Sequence, residues 1–168
     1  MMHLSTSTLL LALTALFLVG FWLLPGGVLD LRRLADGRLQ VDLRPVYGVR
    51  TVYTLLDAYG ERGRSWFGRM LRTDLVFPLV YAAAIWTLAV DYGATRPHAV
   101  ALAQGAGLAA ACFDEFENIL LLHILAVYPA RRAMQARLAG SMTLLKMCSF
   151  AIAIGSLASA ISYSSGLY

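Results

Sequence analysis

The chain has 168 residues, 59% of them hydrophobic and 14% charged, with a formal net charge of +4. Soluble domains are closer to half apolar and a quarter charged, so this composition excludes an ordinary soluble domain and points to a single integral membrane domain over 1–168. Thirteen of the fourteen basic residues are Arg and lie outside the apolar blocks, which fits contact with a lipid bilayer and not with nucleic acid.

The first predicted span runs from about Thr8 to Leu24 and stops at Pro25-Gly26-Gly27, a strong breaker. It has no polar face, so lipid is its expected surrounding, and Trp22 suits an interfacial anchor. MMHLSTST lacks the basic region of a cleavable signal, which makes this a retained span.

Between residues 29 and 73 the character changes, with nine arginines in one polar segment. DLRRLADGRLQVDLRP reads as irregular or partly extended. Val49, Val52, Tyr53, Leu56 and Tyr59 then recur at helical spacing, which predicts an amphipathic helix interrupted at Gly60-Glu61-Arg62-Gly63. Trp66, Phe67, Met70 and Leu71 beside Arg64, Arg69 and Arg72 suit the headgroup layer, or a cap on the bundle, or both.

The second span is predicted over 74–92. Asp74 at its start complements the helix dipole, or caps it. Pro78 one turn in frees a carbonyl for another donor, and Tyr81, seven residues after Asp74, shares its side. The third span, 99–128, follows the short turn DYGATRPH, and the fourth, 140–162, follows the basic run ARRAMQAR. On the fourth, the series Ala151, Gly155, Ser159 and the face of Ser149, Ala153, Ser156 and Ala160 both predict close helix packing, within the bundle or with a homo-oligomer or membrane partner. Cys112 and Cys148 have no metal spacing and read as small buried hydrophobes. The fold class expected is therefore all-α, a four-helix transmembrane bundle with an amphipathic cytoplasmic segment at 29–73. The basic residues of the first and third connections place those loops in the cytoplasm and both termini outside an inner (plasma) membrane.

The third span carries the chemistry, because Asp114, Glu115, Glu117 and Asn118 lie near its middle, where ionised carboxylates are most expensive. On a helical wheel Asn118 falls about 40° and Glu117 about 60° from Asp114, with Gly107 and Gln104 on the same face. Glu115 falls about 100° to the side and His123 almost opposite. Lys146 lies about 13 Å into the fourth span from Arg137. One layer of Asp74, Tyr81, Asp114, Glu117, Asn118 and Lys146, with Glu115 beside it, is the expected ligand-binding cluster.

A buried ion-pair network that only fixes helix register would also explain these residues. Among functional readings, binding or transport of a lipid, a cation or a proton leads. A lipid-modifying enzyme at the cytoplasmic interface and an accessory subunit of a larger membrane complex are the alternatives. No HxxxH, nucleophile elbow or phosphate loop is present to name a catalytic residue, a metal or a cofactor. GERGR at Gly60–Arg64, DLVFPLVY at Asp74–Tyr81 and D-x-x-E-N at Asp114–Asn118 resemble patterns in uncharacterised bacterial four-span membrane proteins, over most of Tyr47–Lys146. The resemblance implies a fold and no activity. It does not extend to small multidrug exporters or lipoprotein signal peptidases.

Overall fold

The computed structural model describes residues 5–93 and 96–164. The first four residues of MMHLSTST, Ala94 and Thr95 of the DYGATRPH turn, and the tail from 165 lie outside the described residues. Among those described, the chain is all-α without a strand: α1 (Thr6–Leu23), α2 (Val28–Leu34), a 3-10 turn (Val41–Leu43), α3 (Val49–Asp74), α4 (Phe77–Tyr92), α5 (Pro97–Ala126) and α6 (Ala133–Ser164). Three stretches are long and apolar enough to cross a membrane: Thr6–Leu34, Val49–Tyr92 and Ala133–Ser162. α5 is not among them, because acids interrupt its apolar run.

α1 begins at Ser5, whose Oγ accepts the Thr8 amide at 3.2 Å, a side-chain cap for the first turn. Its leucines point outward and only Ser7 is fully buried, as expected of a helix in lipid. Phe17 and Phe21 pack on Phe77 at 5.6 Å between ring centroids, which fixes α1 to α4. The chain reverses at Gly26, whose φ of +82° suits glycine.

The next segment is more ordered than its sequence suggests. Residues 28–34 form α2, where an irregular or extended path was predicted. Two local interactions favour the helix: the Gly26 amide donates to Asp30 Oδ2 at 2.8 Å, and Val28 and Leu31 bury completely against α3. α3 breaks at Gly60 (φ +60°), within the predicted interruption. Arg64 Nη1 donates to the Leu56 carbonyl at 3.1 Å, tying the two halves of α3 together across the break. Beyond it Phe67, Met70 and Leu71 bury in the protein core, so this half of α3 caps the bundle and leaves only Trp66 half-exposed.

α5 and α6 run side by side through small residues, Ala110 and Ala111 on one and Ala139, Ala153 and Ala160 on the other, all buried. The Ala153–Ala160 face therefore packs as predicted. The series Ala151, Gly155, Ser159 does not: it is exposed, and a Cβ on Gly155 would meet open space. Cys112 and Cys148 are exposed as well, against the prediction of burial. Both sit on the outward faces of apolar helices, where a small apolar side chain suits lipid as well as core. Two apolar cores result, one around Leu31, Leu55, Leu71 and Ile124, the other around Tyr81, Ile85, Ala103 and Ala153. Along α5 the acids fall between them.

Candidate functional site: a buried carboxylate and lysine cluster

Asp114, Glu117 and Asn118 occupy one face of α5 and are 5%, 0% and 0% exposed. Lys146 of α6 reaches across with Nζ 3.0 Å from Asp114 Oδ1 and 2.7 Å from Glu117 Oε2. The remaining oxygens of both acids take neutral donors. Tyr81 of α4 donates to Asp114 Oδ2 at 3.2 Å, and Tyr47 donates to Glu117 Oε1 at 2.9 Å. Thr143 Oγ1 lies 2.5 Å from the same Glu117 oxygen and 3.1 Å from the Ala139 carbonyl. A hydroxyl has one proton to give, and the shorter, charge-assisted contact takes it.

Asp74 belongs to this network in a way the sequence reading did not foresee. It ends α3 instead of starting the second span, because residues 75–76 form a turn and α4 begins at Phe77. Its carboxylate caps nothing. Asn118 Nδ2 donates to Asp74 Oδ2 at 3.1 Å and to its backbone carbonyl at 3.4 Å. That carbonyl is the one Pro78 leaves without an amide donor, so the expected rescue by another group is met by Asn118.

Glu115 stays outside the network. It is partly exposed to the side of the polar face and makes no hydrogen bond or ion pair among the described residues. His123 is exposed, also away from the cluster.

Four participants escaped the sequence reading: Gln40, Asp42, Tyr47 and Thr143. Thr143 could have been found, since it precedes Lys146 by one helical turn and shares its face. Tyr47 reaches Glu117 because its carbonyl rests on Gly140 of α6, where any Cβ would overlap it. Gln40 and Asp42 arrive with the 3-10 turn, which folds inward and leaves them 4% and 7% exposed.

Gln40, Asp42, Asp74, Asp114 and Lys146 line one cleft of about 110 Å³, walled by Phe21, Met70 and Phe77. That is room for about three waters, or a small cation with part of its hydration shell. Gln40 Nε2 donates to Asp42 Oδ2 at 3.1 Å, but Gln40 Oε1, Asp42 Oδ1 and Asn118 Oδ1 have no donor. Gln40 and Asp42 line the cleft and Asn118 lies beside it against Asp74, so three buried acceptors in and next to the cleft lack a proton or positive charge. Burial, then the negative charge of Glu117, pushes the Asp42 carboxyl up to about 7, with Lys146 opposing. Among the described residues no three His, Cys, Asp or Glu side chains converge as metal ligands. No protein-family model, curated protein or solved structure matches the chain.

Proposed function

We propose that this is a four-span inner-membrane protein, with α1, α4, α5 and α6 as spans and both termini outside, that binds a small cation or a proton in the cleft beside Asp42. The positive-inside distribution supports the orientation, and the burial of the α5 acids between other helices supports α5 as the remaining span despite its charges. The GERGR, DLVFPLVY and D-x-x-E-N patterns support placing it beside other bacterial four-span proteins. The outward Ala151–Gly155–Ser159 face supports a second copy or a membrane partner on α6.

The charge balance of the cleft carries the functional reading. Four carboxylates, Asp42, Asp74, Asp114 and Glu117, surround one ammonium, and three buried acceptors lack donors. Lys146 is committed to Asp114 and Glu117. Asp42 and Asp74 are left for a proton or a cation, with Gln40 Oε1 in the same lining as a neutral ligand. A proton on Asp42 supplies a donor, whereas a monovalent cation supplies charge to both acids. Each excludes the other, so cation binding should release a proton.

The test is thermal stability of the purified protein in detergent with sodium, potassium or methylammonium chloride against matched choline chloride. Anything that binds only the folded state raises Tm with its concentration. A rise with one of these cations that disappears in Asp42→Asn supports the reading. No cation effect, together with pH-independent stability, would overturn it. Orientation is checked separately: a periplasmic-type reporter after Tyr168 should be active and a cytoplasmic one inactive.

A further inference from the structure

We propose that the groove between α1 and the second half of α3 binds one anionic phospholipid, its acyl chain along α1 and its phosphate at Arg69. The groove encloses about 520 Å³ and is lined by Leu13, Leu16, Phe17 and Leu24 of α1 and by Trp66 and Met70 of α3. From Leu13 to Leu24 is about 16 Å of helix, close to one leaflet of a hydrocarbon core about 30 Å thick. A single hydrocarbon chain can lie in this groove along α1.

The headgroup end is set by charge. Arg69 is the one charged residue in the lining, and Thr73 beside it supplies the other polar side chain. Arg69 is exposed and makes no ion pair among the described residues, so its guanidinium remains available for a bidentate contact with phosphate. No acid lines the groove to repel an anion. Arg62 lies 4.5 Å over the Trp66 ring, adding positive charge at this edge. Gly26 permits the closure there, since a Cβ would stand 2.8 Å from Trp66 Cγ. The site is distinct from the polar cleft, although Phe21 and Met70 wall both.

Trp66 reports on the groove directly. A Trp22→Phe, Trp86→Phe variant leaves it as the only tryptophan. It is reconstituted in phosphatidylcholine vesicles containing a rising fraction of brominated-chain phosphatidylglycerol or, in parallel, brominated-chain phosphatidylcholine. We expect Trp66 quenching to show a preference of about fivefold for the anionic lipid, the worth of one arginine at a lipid surface. Arg69→Gln should bring the preference close to unity while circular dichroism stays unchanged. Gly20→Leu, which fills the groove, should reduce quenching by both lipids. Equal quenching by the two lipids, or a preference that survives Arg69→Gln, would overturn the proposal. So would absence of quenching by either, because the groove would then be covered by protein.

Discussion

Replacing Lys146 by Met removes the only ammonium from a site that holds two carboxylates within 3.0 Å of it. At an effective dielectric near 20, contacts of 2.7 and 3.0 Å each correspond to about 6 kcal/mol of gross attraction. Desolvating the ions takes back several kcal/mol apiece, so the loss on breaking the network is about 3–5 kcal/mol in a protein interior. One effect reduces it here: the unfolded chain in a membrane finds other partners. We therefore expect Lys146→Met to cost about 2–3 kcal/mol, measured by unfolding in bicelles. Glu117→Gln added to it should recover about 1 kcal/mol, since the amide no longer needs a counter-charge. Asp114→Asn should couple less strongly, its ion contact being the longer of the two. Couplings below about 0.5 kcal/mol for both pairs would refute the shared layer and leave Lys146 reaching for the membrane surface.

Three further outcomes follow from the geometry. Gly140→Ala should destabilise by about 1–3 kcal/mol, seen as a lowered Tm, because its Cβ collides with the Tyr47 carbonyl and not with a movable side chain. Asn118→Ala strands the Asp74 carbonyl and carboxylate and should cost about 1–3 kcal/mol in the same assay. Stability should also depend on pH through Asp42, which stands at about 7 in the folded chain against the usual 3.8. The folded state holds this proton more tightly, so the contribution is complete below about pH 4 and lost as pH rises through about 7. Unfolding midpoints taken between about pH 5 and 8 should therefore fall with pH, and Asp42→Asn should flatten the slope. An unchanged slope would place the titration on another acid.

Much of the cluster was legible because α5 is a regular helix. The spacing of Asp114, Glu117 and Asn118 alone put them on one face, and the cost of charge in an apolar run pointed to Lys146 and Tyr81 as partners. The break at Gly60 was legible for a similar local reason. The inward turn of Gln40 and Asp42 was not, since polar residues among arginines ordinarily face water and only tertiary packing buries them. Asp74 was misplaced because residues 75–76 keep near-helical backbone angles, so the boundary between α3 and α4 leaves little mark in sequence. The small residues of α6 were ambiguous between two faces, and periodicity could not say which one meets α5.

On the proposed reading, the cleft beside Asp42 exchanges a proton for a cation. Infrared difference spectroscopy of the reconstituted protein between about pH 5 and 9 observes protonated carboxyl groups directly. Such an exchange requires a protonated-carboxyl band that persists to near neutral pH, diminishes when the binding cation is added at constant pH, and is lost in Asp42→Asn. A protein with no such band at neutral pH, and no spectral response to any cation tested, would contradict it.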